Sequence, residues 1–117
     1  MPTTLPLVAH GKGHRLRLRD QLGMNRETFA RLVPMSTRNL ANIEAGAPPS
    51  PNVLRQLQQL RRLVDALAEV IQKDALGPWL EQPNGALDGL KPIEVIERGE
   101  VDRIWQMIHY LRSGVPS

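Results

Sequence analysis

The chain has 117 residues, a formal net charge of +3 and no cysteine, which excludes a disulfide framework, a thiolate metal site and a cysteine nucleophile. That length suits one compact domain or two small lobes. No apolar run approaches the roughly 18 residues of a membrane span, and the start MPTTLPLVAHGKGH lacks the basic-then-apolar pattern of a signal peptide, so a soluble cytoplasmic protein is expected. The charge is unevenly divided. Residues 1–62 carry ten Lys/Arg against Asp20, Glu27 and Glu44, net +7, and residues 63–117 carry five against nine acids, net −4. All but Lys12 of the first ten are arginine, whose planar fork suits phosphates and base edges. A basic half joined to an acidic half points to two partners of different kinds, the first a polyanion. Ordinary solvated faces would fit an unclustered excess equally well.

Apolar spacing is helical almost throughout, so the expected fold is all-α. Arg15–Arg19, RLRLR, alternates as a strand would, but Leu18 and Leu22 are four apart and Gly23 is a natural stop, which favours a short first helix. The second helix starts after the N-cap Asn25 and runs to Leu32 or Val33, where Pro34 closes it. Ser36 caps a third helix to Ala45, with Gly46 as its C′ stop. In the stiff linker GAPPSP, Ser50 is an N-cap and Pro51 takes the first helical position.

The fourth helix is the longest. Val53, Leu57, Leu60, Val64, Leu67 and Ile71 form an a/d stripe, widened by Leu54, Leu63 and Val70. It either packs within the chain or forms a dimer seam. Arg61–Asp65 and Glu69–Lys73 are i,i+4 pairs on its wet side, and Gly77–Pro78 is expected to end it. WLEQPNGALDGL then reads as a compact loop. Lys91–Pro92 opens a short helix that stops at Gly99. The last helix carries Val101, Ile104, Trp105, Ile108 and Leu111 on one stripe and ends at Ser113–Gly114. Trp105 is expected in the core. Trp79 either caps the core, the preferred reading, or meets a partner.

The third helix carries the chemistry. At roughly 100° per residue, Ser36, Leu40 and Ile43 share one side, while Arg38 and Asn42 point the opposite way and Thr37 and Asn39 flank them. An apolar back with Arg, Asn and Thr in front suits a helix in a DNA major groove, where Arg can hold the O6 and N7 of guanine and Asn the N6 and N7 edge of adenine. Ala30 supplies the small residue two closely crossing helices need, and Phe29 and Leu32 the core. The bland alternative is a helical hairpin with solvated side chains and no nucleic-acid role.

Leu22–Gly46, LGMNRETFARLVPMSTRNLANIEAG, resembles the Xre-type helix-turn-helix of bacterial and phage repressors. Arg26, Ser36, Thr37, Arg38, Asn39 and Asn42 are then the DNA-contact candidates. Two departures stand out. Pro34 occupies a position where the family has a glycine of positive φ, a value proline cannot adopt; either the turn is of another type or the second helix stops a residue early. Arg26 replaces a glutamine that touches phosphate, and keeps a donor there.

Residues 76–117 resemble the toxin-binding domain of Xre/MbcA/ParS antitoxins, through Trp79-Leu80, Pro83-Asn84, Leu87 followed by Gly89, Pro92 opening a helix, the Gly99 break and the ending Leu111 to Gly114-Val115. The two resemblances occur in the expected order. They imply a flexible segment over 1–14, a helix-turn-helix domain over 15–49, a connecting or dimerisation helix over 50–76 and a toxin-binding domain over 77–117. They also imply a RES-domain toxin that destroys NAD as partner, its cleft covered by the antitoxin's last helix and tail. The candidates there are Trp79, Arg112, Ser113, Gly114, Val115, Pro116 and Ser117. Repression of its own operon through operator DNA, as a homodimer reading paired half-sites, completes the implied picture.

No catalytic, metal or cofactor site is expected. His10 and His14 are four apart, but glycines between them disfavour a helix and no third ligand is near. His109 has no evident nucleophile partner. Two other readings stay open: a plain transcriptional regulator with a C-terminal dimerisation or sensing region, and an adaptor that no longer binds DNA.

Overall fold

The computed structural model describes residues 14–114. Among them the order is α1 (His14–Leu22), α2 (Arg26–Leu32), α3 (Thr37–Glu44), α4 (Pro51–Leu67), α5 (Leu76–Leu80), α6 (Pro92–Glu97) and α7 (Val101–Ser113), with single 3₁₀ turns at Lys73–Ala75 and Gly85–Leu87. The described residues contain no strand, so the fold is all-α. They form two compact units divided between Gln59 and Leu60. The proposed flexible segment, apart from His14, lies outside the described residues.

In the first unit each helix boundary has a local cause. RLRLR is helical, and Gly23 ends α1 at φ 64°. The Asn25 carboxamide oxygen accepts from Thr28 N at 2.9 Å to start α2. Val33 then turns extended, φ −121° and ψ 103°, as the residue before a proline must to avoid its ring. Both turn alternatives therefore hold: α2 stops at Leu32, and the turn between α2 and α3 is of another type, with no positive φ. Among the described residues Asp88 is the only non-glycine with one. Ser36 Oγ accepts from Asn39 N at 3.0 Å to open α3, and Ser50 Oγ accepts from Val53 N at 3.2 Å to open α4. Phe29, Val33, Leu40 and Ile43 are buried to within 1% or 2%, each contributing about 1.5–3 kcal/mol of apolar burial. Ala30 is buried too, as a close crossing requires.

The second unit corrects the expected length of α4. The helix ends at Leu67, not beyond Ile71. Glu69 N and Val70 N bond three residues back, to Ala66 and Leu67, which tightens the last turn and closes the helix. No glycine or proline stands there. Gly77–Pro78 accordingly does not end α4 but sits inside α5. Pro78 is its third residue, where a backbone N–H has no partner to lose. The Glu69–Lys73 pair does not form, because Glu69 bonds Arg112 instead, whereas Arg61–Asp65 is present at 3.2 Å.

Val53, Leu57, Leu60, Val64 and Leu67 are all buried within a single chain. The a/d stripe is therefore core and not an exposed dimer seam. Beyond α5, Asn84 closes a loop on itself: its N–H donates to Leu90 O, its carbonyl accepts from Gly89 N, and its carboxamide oxygen accepts from Ala86 N. Arg103 Nη2 reaches Asp88 across this loop at 2.8 Å. Lys91 N donates to Glu94 Oε1 at 2.8 Å to open α6. Gly99, at φ 77°, turns the chain into α7.

Candidate functional sites: the third and the last helix

The first site is built on α3. Leu40 and Ile43 are buried, whereas Ser36, Thr37, Arg38, Asn39 and Asn42 are all exposed. The helical phase read from sequence is thus the phase the fold adopts. Ser36 spends its oxygen on the cap, which leaves Thr37, Arg38, Asn39 and Asn42 as the outward polar set.

Arg26 is placed differently from the rest. Its Nε donates to Glu44 Oε1 at 2.8 Å while its side chain stays half exposed. Glu44, the last residue of α3, is buried and also receives Arg19 of α1, Nε to Oε2 and Nη2 to Oε1 at 3.2 Å. Arg19 Nη1 continues to Met24 O at 3.0 Å. Burial pushes the Glu44 carboxyl up, and the hydrogen bonds and charges of Arg19 and Arg26 outweigh that, holding it below the usual carboxylate range. One carboxylate thus ties α1, α2 and α3 together. Beside it lies a shallow open depression of about 420 Å³ lined by Arg19, Asn25, Arg26, Glu27 and Thr37.

Sequence reasoning missed Arg19 and Glu44. A signal existed: Glu44 is four residues after Leu40 and so belongs to the apolar side of α3, where a lone carboxylate requires a cation.

The second site is α7. Ile104 and Ile108 are fully buried, but Trp105 is 36% exposed, Tyr110 46% and Leu111 52%. The expectation that Trp105 belongs to the core is therefore wrong. It lies off the buried line through Ile104 and Ile108, and the core does not extend around the helix to it. Trp79 is half-buried at the end of α5. Arg112 Nη2 bonds Glu69 Oε1 at 2.6 Å, so its charge is engaged within the chain. Ser113 Oγ donates to Tyr110 O, and Gly114 ends the helix at φ 67°. Val115, Pro116 and Ser117 lie outside the described residues, as does the His10–His14 pair in its side chains. Among the described residues no helix is long and apolar enough to cross a membrane.

The described residues thus define a small all-helical protein with exposed polar side chains on α3 and exposed apolar ones on α7. The comparisons agree. Mycobacterial cidal antitoxin MbcA from Mycobacterium tuberculosis, and the protein of the same name from Mycobacterium bovis, are each 32% identical to this chain over 97 residues, which is 82% of this chain and 86% of theirs. A chain of the crystal structure of the M. tuberculosis MbcT–MbcA toxin–antitoxin complex matches with a TM-score of 0.69 and 31% identity, covering 85% of this chain and 90% of that one. No protein-family model matches. The chain belongs to the MbcA family of antitoxins and, as such, is not an enzyme.

Proposed function

We propose that this protein is the antitoxin of a type II toxin–antitoxin pair, neutralising a RES-domain toxin that degrades NAD and repressing its own operon from the cytoplasm. The observation that carries the reading is the alignment of 97 residues with MbcA at 32% identity. In the neutralising role the last helix and the tail from Arg112 to Ser117, with Trp79 nearby in sequence to the domain's start, cover the toxin's active-site cleft.

In the repressing role a homodimer reads two operator half-sites about 34 Å apart. Arg38 and Asn42 address base edges, Thr37 and Asn39 flank them, and Ser36 and Arg26 lie toward phosphate at the start of α3 and α2. The exposure of this polar set beside the buried Leu40 and Ile43 supports that role. Arg26 has only part of its guanidinium committed to Glu44, which leaves donors for a phosphate.

The test is co-expression with the product of the adjacent gene. That product alone should arrest growth and the pair should grow and co-purify. A harmless neighbour, or one that forms no complex, defeats the antitoxin role. A footprint of the purified protein on its own promoter tests repression separately. Removing residues 115–117 should weaken neutralisation and leave the footprint intact.

A further inference from the structure

The chain has five asparagines, and four of them precede a large side chain: Arg26, Leu40, Ile43 and Val53. The fifth, Asn84, precedes Gly85. Asparagine is a thermolabile residue, and a side chain on the next residue shields the peptide nitrogen that can attack its carboxamide. Glycine offers no such shield. Nor does the fold call for glycine at this place. Gly23, Gly89, Gly99 and Gly114 have positive φ, whereas Gly85 does not, and a β-carbon there would meet nothing within 4 Å. Gly85 is the first residue of its 3₁₀ turn, so its N–H has no partner within that turn, and among the described residues no other group accepts it.

What restrains the pair is the loop around it. Asn84 is extended, φ −129° and ψ 123°, which turns the Gly85 nitrogen away from the Asn84 β-carbon. Its carbonyl accepts from Leu87 N and Gly89 N, both at 2.9 Å, and Ala86 N holds its carboxamide oxygen at 2.9 Å. Closing a ring imide requires the side chain and the next nitrogen to lie eclipsed about the Cα–C bond. Rotating ψ that far swings the carbonyl off both donors, so the loop must open first. Arg103 bonds Asp88 at 2.8 Å and Glu100 at 3.0 Å, which fastens the loop to the start of α7.

We propose that Asn84–Gly85 is a self-modification site, held off by the closed loop and released when the loop opens. The Gly85 N–H gives its proton to hydroxide, and the nitrogen's electron pair forms a bond to Asn84 Cγ. The Cγ–Nδ2 bond breaks, and its nitrogen takes a proton from water and leaves as ammonia. Water then opens the imide at either carbonyl, giving aspartate or isoaspartate. Aspartate keeps the backbone and an oxygen for Ala86 N. Isoaspartate routes the chain through Cβ and Cγ, which lengthens the loop and turns the accepting carbonyl into a free carboxylate. Leu87, 1% exposed, enters the core from this turn, so the damage reaches the packing behind it. Water is the only co-reactant, and the loss of ammonia is irreversible. The second unit thus carries a chemical limit on its lifetime, and none of this depends on the antitoxin reading.

The test incubates the purified full chain at mildly alkaline pH, folded and in urea. Digestion and mass spectrometry follow, with chromatographic separation of aspartyl from isoaspartyl peptides. Conversion should appear at Asn84, faster in urea than in the folded chain, while Asn25, Asn39, Asn42 and Asn52 stay intact. Gly85→Ala should melt as wild type does and stop the conversion. Arg103→Gln, which releases Asp88, should raise the folded rate by about two- to fivefold, the weight of a surface ion pair in the opening equilibrium. The isolated isoaspartyl protein should melt about 4 °C or more below wild type, and freshly prepared Asn84→Asp within about 2 °C of it.

The proposal is overturned if Asn84 stays intact in urea, or if Gly85→Ala converts as fast as wild type. Equal rates in the folded and unfolded chain remove the loop as the restraint, and this comparison stands even where Arg103→Gln does not fold. An unchanged rate in a folded Arg103→Gln removes the fastening to α7. An isoaspartyl protein that melts like wild type removes the limit on lifetime.

Discussion

Replacing Glu44 with alanine tests the clamp that joins the first three helices. Three charge-assisted hydrogen bonds converge on its carboxylate, two from Arg19 and one from Arg26. Each such bond contributes about 1.5–3 kcal/mol before the cost of burying the carboxylate is set against it. The two arginines lose unequally when it is removed. Arg26 is half exposed and returns to water cheaply; Arg19 has a side chain only 20% exposed and is left partly buried without its anion. The net cost is dominated by Arg19, about 2–3 kcal/mol, below the 3–5 kcal/mol seen when a fully buried pair is broken.

For a domain of this size that lowers the melting temperature by about 10 °C or more, read by calorimetry or circular dichroism at pH 7. Hydrogen exchange at Leu40 and Ile43 should accelerate with it. The pH dependence follows from the depressed carboxyl. Its stabilisation is fully present above the ordinary glutamate value of about 4.3 and is lost as pH falls through the lower value of the folded state. The gap between wild type and Glu44→Ala should therefore narrow in acid. A variant melting within about 2 °C of wild type at pH 7, or a gap that is constant down to acid unfolding, would refute the reasoning.

Other perturbations probe single links. Arg38→Ala should cost about 1–3 kcal/mol at one operator base pair and relax selectivity there; unchanged selectivity in a binding-site selection removes Arg38 from base reading. Ser36→Ala deletes the α3 cap and should cost about 1 kcal/mol in urea unfolding, with earlier exchange at Asn39 N. Pro34→Gly should lower stability by about 1 kcal/mol by freeing the unfolded chain; a rise in stability would mean that the proline strains the turn. Gly99→Ala forces a β-carbon into φ 77° and should cost about 1 kcal/mol or more, measured as a shift of the urea midpoint at constant slope.

Much of the fold was legible in local chemistry. Asn25, Ser36 and Ser50 mark where helices begin because a short side-chain oxygen satisfies an orphan N–H within three residues. Pro34 marks where α2 ends because its ring excludes a helical Val33. The phase of α3, with Leu40 and Ile43 inward and Arg38 and Asn42 outward, follows from a 3.6-residue repeat and a half-apolar sequence. All these causes act over one or two turns, so a linear reading can find them.

What the tertiary structure alone decided lies at longer range. Periodicity says which side of a helix is apolar, but not how far the neighbouring elements run along that side. Thus α4 stops at Leu67 although its stripe continues to Ile71, and α7 leaves Trp105 and Leu111 exposed although the expected stripe held both together with Ile104 and Ile108. Glu44 could be flagged as a charge on an apolar side, yet only the fold brings Arg19, 25 residues away, to meet it.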